Sequence, residues 1–162
     1  MQTEKKVVKT NMAKYIIKKA TLEELDLVAQ LFDQYRVFYE QASDFENGRR
    51  FIQARMKNNQ SVIFLALEQD NIPLGFVQLY PSFSSVSMKK LWILNDLFMD
   101  PSARNRGIAK KLMETAKNFA IETGAKGIIL ETAVTNHQAK SLYESIRYKK
   151  DVHSDHYELT LD

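Results

Sequence analysis

The chain has 162 residues, of which 44% are hydrophobic, and a formal net charge of +3, which suits one folded domain and argues against a disordered chain. It has no cysteine, so disulfides and thiolate catalysis are excluded and a finger-type zinc site is not expected. No apolar run reaches the length of a membrane span, and the basic residues are interleaved with acids, which disfavours nucleic-acid binding. The three histidines lack zinc-protease spacing, so we expect no metal site.

Residues 1–13 are polar and bear lysines, and they lack the apolar segment of a secretory signal. We expect a mobile arm there, followed by a single domain over residues 14–162. Because nothing in the sequence indicates export, we expect a cytoplasmic protein.

The first elements of the domain are predicted to be a strand and two helices. Tyr15–Ala20 has the pattern of a short strand. Thr21 and Glu24 then have the spacing of a capping box, and the apolar residues that follow predict a helix to about Glu40. A second helix is predicted over Asp44–Lys57.

Three strands are predicted next. Ser61–Gln69 and Leu74–Tyr80 are apolar segments joined by a turn, which is typical of a hairpin. The serine-rich segment Pro81–Lys89 is predicted to be a loop. The following strand, Lys90–Met99, is apolar on both faces, so we expect it to be central in the sheet.

The most informative stretch is LFMDPSARNRGIA at residues 97–109. An apolar strand ends at Met99, a proline turn follows, and a basic segment leads to Gly107, which opens a helix. A helix N-terminus presents unpaired backbone N–H groups and partial positive charge, so it can hold a phosphate. Arg104 and Arg106 add full charge, and Gly107 has no Cβ to keep a phosphate from the backbone.

The helix from Gly107 to Thr123 is amphipathic, and Gly124 fits the position just past its end. A strand predicted at Ile128–Ala133 then completes a right-handed crossover between parallel strands. We therefore expect a strand–helix–strand unit in this part of the chain.

The remaining elements are a helix and two short strands. Asn136 is predicted to cap a helix that runs through Ile146. Two short strands, near Lys150–His153 and His156–Leu161, are predicted to close the chain.

Two motifs and the order of elements resemble the GNAT superfamily of N-acetyltransferases. Arg104-x-x-Gly107-x-Ala109 resembles the loop that binds the pyrophosphate of acetyl-CoA in that family. Asn136-x-x-Ala139-x-x-Leu142-Tyr143 is similar to the family's pattern after the fifth strand. The resemblance covers Tyr15–Leu161 and implies an α/β fold (an α+β mixed sheet). This fold has a central mixed, mostly antiparallel sheet with a parallel strand–helix–strand cofactor unit.

The resemblance implies acetyl-CoA as co-substrate and no metal. The backbone of Leu97–Met99 is expected to pair with the pantetheine arm, and the N–H groups of Asn105 to Lys110 to cradle the pyrophosphate. In the family the strands matching Leu94–Met99 and Ile128–Ala133 splay apart, and the thioester enters that gap. The implied cofactor-binding residues are Leu97, Phe98, Met99, Arg104, Asn105, Arg106, Gly107, Ile108, Ala109, Lys110, Asn136 and Tyr143.

The resemblance also places Tyr143 near the thioester sulfur. The departing thiolate has a pKa near ~8.5 and a tyrosine has a pKa near ~10, so a tyrosine in a dry site can protonate it. Tyr143 is therefore the candidate acid, and the alternative is a core aromatic on a helix face. The backbone N–H near Met99 is the candidate group for stabilising the oxyanion.

Asp96 and Glu131 are the candidate bases, because an amine must lose a proton to attack a thioester. The alternative for both is a buried strand carboxylate held by backbone N–H groups. Relatives that acetylate polyamines often have a glutamate at the position of Asn95, whose amide cannot accept a proton. This departure weakens a polyamine assignment and leaves open a base that acts through water. Arg147 is a second departure, because the family often has glycine there to adopt a left-handed cap.

The acceptor site is expected between the first helices and the Pro81–Lys89 loop. Aromatic rings there can hold a cationic amine, which Asp44 or Glu46 would attract, and packing alone is the alternative. The candidate substrate-binding residues are Tyr35, Tyr39, Tyr80, Phe83 and Asn95, with Phe38 beside them.

The sequence therefore predicts an acetyl-CoA-dependent N-acetyltransferase. Its acceptor is expected to be a primary amine of a small molecule or a peptide, which attacks directly in a ternary complex. A catalytically silent acyl-CoA-binding sensor and a nucleic-acid-binding domain are the alternatives. We expect no membrane partner, and the resemblance leaves a homodimer open.

Overall fold

A computed structural model describes residues 14–162, so the arm predicted at residues 1–13 lies outside the described residues. The chain divides into two compact units, one ending at Ile129 and the other running from Leu130 to Asp162. None of the helices described in residues 14–162 has the length and apolar character needed to cross a bilayer.

Within residues 14–162, the first unit contains five strands and three α-helices, and the second contains one α-helix. The strands are β1 (Tyr15–Lys19), β2 (Val62–Glu68), β3 (Ile72–Ser84), β4 (Lys89–Met99) and β5 (Ile128–Ile129). The helices are α1 (Leu25–Phe38), α2 (Phe45–Lys57), α3 (Ile108–Glu122) and α4 (His137–Ser145).

The strands form one sheet in the order β1-β2-β3-β4-β5. Neighbouring strands are antiparallel, except that β5 pairs in parallel with β4. Because α3 connects β4 to β5, this is the predicted parallel strand–helix–strand unit. The predicted fold class, a mixed and mostly antiparallel sheet with helices, is confirmed.

Helices cover both faces of this sheet. Val28 and Leu31 of α1 and Ile52 of α2 are fully buried against one face. Leu112 and Ala116 of α3 are also fully buried, and the α3 ring of Phe119 packs against Phe64 and Trp92 of the opposite face. The period of about 3.6 residues in the helices therefore fixes which side of each helix meets the sheet.

Local sequence signals set the ends of several helices. The predicted capping box of Thr21 and Glu24 is present ahead of α1, and the side chain of Asp44 caps α2. Gly124 follows α3 in the left-handed region with φ of 68°. Asn136 caps α4 by accepting a hydrogen bond from the N–H of Ala139.

β3 continues through Pro81 to Ser84 and β4 begins at Lys89, so the prediction of a loop over Pro81–Lys89 is right only for residues 85–88. Pairing of β3 with β2 reaches only to Leu79, so Pro81 lies where β3 is an edge strand. Trp92 is opposite Pro81, and its backbone N–H donates to the carbonyl of Gly127 rather than to β3. The pair is therefore a non-hydrogen-bonded one, and the missing N–H of proline costs no ladder bond.

The strand predictions for the residues after Ile129 are also wrong. β5 has two residues instead of the span Ile128–Ala133, and residues 150–162 form no strand in the structure. Apolar and polar residues alternate in His156–Leu161, which predicts one buried face, but Leu159 and Leu161 are more than 80% exposed. A strand is stabilised by a ladder and a buried face, and this segment has neither in the described structure.

Candidate active site

The segment between β4 and α3 forms a loop with two left-handed residues. Asp100 accepts a hydrogen bond from the N–H of Ser102, and a single 3₁₀ turn spans Pro101–Ala103. Asn105 and Gly107 then have φ of 60° and 74°. Between the 3₁₀ turn and the helix that follows, the chain thus passes through extended backbone at Arg104 and two left-handed residues.

The N-terminus of α3 opens from this loop without a side-chain cap. Lys111 donates to the carbonyl of Gly107, so helix geometry leaves the N–H groups of Ile108, Ala109 and Lys110 without intrahelical acceptors. A Cβ built on Gly107 would meet no atom within 4 Å. The backbone of Gly107 is therefore uncovered on the side where a Cβ would project.

The two arginines of the loop have different partners. Arg106 lies with its Nη2 2.9 Å from Oε1 of Glu68, which ties the loop to the end of β2. Arg104 donates from Nε to the carbonyl of Met99 at 3.4 Å. Its guanidinium carbon lies 5.9 Å from the ring centre of Phe38 and 6.0 Å from that of Phe98. The loop motif gives both arginines the same expected role, whereas the structure gives them different partners.

A β-bulge in β4 sets the position of Asp96. Gln78 of β3 pairs with Asp96 and Leu79 pairs with Leu94, so Asn95 is the extra residue. Before the bulge, Trp92 packs on α3. After it, Asp96 faces α1 on the other side of the sheet, because the extra residue reverses the alternation.

Asp96 is 3% exposed and is held by neutral side chains. It accepts hydrogen bonds from the amide nitrogens of Gln78 and Asn95, the latter at 3.0 Å, and from the hydroxyl of Tyr35. The alternative of a buried strand carboxylate is thus correct in its burial, but the partners named here are side chains rather than backbone N–H groups.

Burial dominates the ionisation of this cluster. It raises the pKa of Asp96, while the hydrogen bonds from Gln78, Tyr35 and Asn95 oppose that rise. Burial, aided by the negative charge of Asp96, raises the pKa of Tyr35 above its usual value and that of Tyr80 to about 12. A carboxylate with a raised pKa in a dry site is suited to accept a proton from a substrate.

Most of the predicted acceptor residues lie around Asp96. The ring of Tyr35 is 4.9 Å from that of Tyr39 in an edge-to-face arrangement, and the hydroxyl of Tyr80 accepts a hydrogen bond of 3.1 Å from Gln78. Phe83, in contrast, is 75% exposed near the far end of β3. The structure therefore groups Tyr35, Tyr39, Tyr80 and Asn95 but does not group Phe83 with them.

Gln78 is the member of this cluster that sequence reasoning missed. It is fully buried, and its amide nitrogen donates to both Asp96 and Tyr80. The signal was available, because a glutamine in the middle of the apolar strand Leu74–Tyr80 must find a polar partner when it is buried.

Three predicted site residues, Glu131, Asn136 and Tyr143, belong to the second unit. Glu131 is 76% exposed in its side chain and lies 3.1 Å from Nδ1 of His156, so its alternative as a buried strand carboxylate is wrong. Tyr143 lies on α4, with its ring 6.1 Å from that of Tyr148. Arg147 adopts the left-handed conformation with φ of 73°, as the resemblance requires at that position. The roles of Glu131, Tyr143 and Asn136 in binding or catalysis stay predictions.

A cavity of about 480 Å³ lies elsewhere in the first unit. It is lined by the end of β1 at Lys19, the start of β2 at Ser61, and the last turn of α3 at Phe119. None of the predicted site residues lines it, so it is separate from the cluster around Asp96.

Comparisons with known proteins point to one family. Residues 25–147 match the acetyltransferase (GNAT) family. An uncharacterized N-acetyltransferase of Bacillus subtilis (strain 168) is 46% identical over 141 residues, which are 87% of this chain and 94% of the relative. A crystal structure of a probable acetyltransferase has a TM-score of 0.87 at 44% identity and covers 91% of this chain and 98% of that chain. An aminoglycoside N-acetyltransferase in complex with CoA shares the fold, with a TM-score of 0.75 at 16% identity over 91% of this chain and 96% of that one.

Proposed function

The chain belongs to the GNAT family of acetyltransferases, and from this premise we propose that it moves an acetyl group from acetyl-CoA to a primary amine of a small molecule or a peptide. The observation that carries the proposal is the loop before α3. Its left-handed Asn105 and Gly107 precede a helix N-terminus whose N–H groups are uncapped by a side chain. Such a terminus stabilises a pyrophosphate through hydrogen bonds and the helix dipole.

The strand pairing of β4 supports binding of the pantetheine arm along the backbone of Leu97–Met99. The parallel ladder to β5 comprises Trp92 with Ile128 and Ile93 with Ile129. Among the described residues of the first unit, Leu97–Met99 therefore pairs on its β3 side alone. A backbone edge of this kind can take an extended chain as an added strand.

Asp96 is the proposed base. The acceptor attacks as a neutral amine, after its extra proton has gone to water. Its nitrogen forms a bond to the thioester carbonyl carbon, and one N–H proton passes to the Asp96 carboxylate, directly or through water. The backbone N–H near Met99 stabilises the resulting oxyanion. The carbon–sulfur bond then breaks, and Tyr143 supplies a proton to the thiolate. Glu131 is a weaker candidate than Asp96 for the base, because it is largely exposed and paired with His156.

The experiment that tests this function is thiol release from acetyl-CoA across a panel of polyamines, amino acids, aminoglycosides and peptides. Turnover on one class establishes the enzyme and names the acceptor. Asn95 favours a second candidate function, a silent acyl-CoA sensor, because the resemblance places an amide where family members that acetylate polyamines often have a glutamate. Calorimetric binding of acetyl-CoA with no turnover on the panel would support the sensor, and absence of both binding and turnover would contradict both functions.

A further inference from the structure

The cavity of about 480 Å³, which is separate from the cluster around Asp96, has an aromatic wall. The rings of Trp92 and Phe119 line it, and their centres lie 5.1 Å apart. Met56 and Ile63 add aliphatic surface. The volume falls in the range of about 300–1,000 Å³ that is typical of small-molecule sites. The apolar body of a small ligand can therefore lose its contact with water here.

Two lysines make the cavity positively charged. Lys19 and Lys90 line it, and none of its lining residues within positions 14–162 is an aspartate or a glutamate. The Nζ of Lys19 lies 5.3 Å from the ring centre of Phe119, and that of Lys90 lies 4.9 Å from the ring centre of Trp92. Both ammonium groups are therefore held close to the aromatic wall by its rings.

These two ammonium groups have no carboxylate to neutralise them. Across the described part of the chain, no ion pair joins Lys19 or Lys90 to an acidic side chain. Glu24 accepts its hydrogen bond from the ammonium of Lys18 instead. Three carbonyls of the last turn of α3 already accept backbone N–H groups from the residues that follow. The helix end therefore does not require the lysines as hydrogen-bond donors, and their charges are available to an anion.

A buried hydroxyl adds a further donor to the cavity wall. The Oγ of Ser61, just before β2, is buried and has no hydrogen-bond partner in the described structure. Buried hydroxyls are rarely left in that state, so this one is suited to donate to a ligand oxygen. The indole N–H of Trp92, in contrast, donates to the hydroxyl of Thr123 at 2.9 Å and is already used. Two ammonium groups and one hydroxyl can all donate to a carboxylate oxygen.

We propose that this cavity binds a small carboxylate that has a flat aromatic body. The body packs against Trp92 and Phe119, and the carboxylate accepts hydrogen bonds from the lysines, whose flexible side chains let the ammonium groups follow it. The site lies at the C-terminal end of α3. About 16 Å of helix separates Phe119 from Ile108, where the pyrophosphate is proposed to bind. The ligand is therefore distinct from acetyl-CoA and from the acceptor amine.

The fluorescence of Trp92 reports on this cavity directly, because the chain has a single tryptophan. The probe is 3-phenylpropionate, and 3-phenylpropionamide is the matched neutral ligand. We expect the acid to change the fluorescence saturably and to bind at least about tenfold more tightly than the amide, as one charge-assisted hydrogen bond allows. Calorimetry measures the same two affinities independently. Absence of saturable binding of the acid by both methods, or equal binding of acid and amide, would overturn the proposal.

Variants locate the bound carboxylate. Replacing both Lys19 and Lys90 with glutamine should remove the preference for the acid while the amide still binds. Lys117→Gln combined with Lys150→Gln is the matched loss of two exposed positive charges, and it should leave the preference unchanged. Gly107→Glu, at the other end of α3, should also leave it unchanged. If the preference persists without Lys19 and Lys90, or is lost in either control, the carboxylate binds elsewhere and the proposal is wrong.

Discussion

At the scale of single residues, Asp96 is a carboxylate that neutral groups hold away from water. As the proposed base it must be ionised, and burial raises its pKa, so kcat/KM should fall with decreasing pH at a higher pH than for an ordinary aspartate. We expect Asp96→Asn to lower kcat by roughly 10²-fold or more and to remove this acidic limb of the pH profile. A variant with full turnover and an unchanged profile would exclude Asp96 as the base.

The same residue should make stability depend on pH. Because the native pKa of Asp96 is raised above its ordinary value of 3.8, the folded state binds the proton more tightly than the unfolded state. The contribution of Asp96 to stability is therefore full below pH 3.8 and is lost as the pH rises through the native pKa. We expect the free energy of unfolding of Asp96→Asn, minus that of the wild type, to increase between pH 4 and pH 7.

Denaturant unfolding at several pH values measures this difference. Gln78 can accommodate the asparagine by turning its amide, since its Oε1 is buried and has no hydrogen-bond partner in the described structure. Asp100→Asn is the control, because hydrogen bonds from Ser102 lower the pKa of Asp100. Its contribution to stability is present above pH 3.8 and is lost as the pH falls below that value, so for this variant the same difference should not increase between pH 4 and pH 7. Equal slopes for the two variants would show that burial does not raise the pKa of Asp96.

At the scale of elements, two left-handed glycines allow the strain of an added side chain to be separated from its effect on acetyl-CoA binding. Gly107 and Gly124 have φ of 74° and 68°, and a Cβ on either would meet no atom within 4 Å. Glutamate at either position should cost a similar strain of about 1–2 kcal/mol. Only Gly107→Glu should abolish acetyl-CoA binding in calorimetry, because it places bulk and negative charge at the helix N-terminus. Normal affinity in Gly107→Glu, or an equal loss in Gly124→Glu, would contradict the assignment of the loop.

The elements also show what sequence patterns can and cannot predict. The ends of α2 and α3 were predicted to within one residue and those of α1 to within three, because capping residues and apolar periodicity act locally. The bulge at Asn95 was not predictable, since it depends on the register between β3 and β4, and strict alternation would have put Asp96 on the α3 face with Trp92. The residues of the loop motif were found from sequence because they are close together in the chain. The hydrogen bonds around Asp96 and the direction of Arg104 depend on residues that are distant in the chain, so they required the structure.

At the scale of the molecule, the proposed reaction moves two protons, and each has its own pH limb. Asp96 must be ionised to accept one, and Tyr143 must be protonated to donate the other, which together give a bell-shaped profile of kcat/KM. We expect Tyr143→Phe to lower turnover by roughly 10²-fold or more and to remove the alkaline limb, while acetyl-CoA binding persists.

Tyr148→Phe is the matched control for this prediction. Its ring lies 6.1 Å from that of Tyr143, and its hydroxyl is buried without a hydrogen-bond partner in the described structure. Removing such a hydroxyl leaves no partner unsatisfied, so stability and turnover should both be retained. Burial raises the pKa of Tyr148 to about 12, so this residue cannot supply an alkaline limb below that pH. If Tyr143→Phe keeps the alkaline limb, Tyr143 is not the acid that protonates the thiolate, and Tyr148 does not account for the limb either.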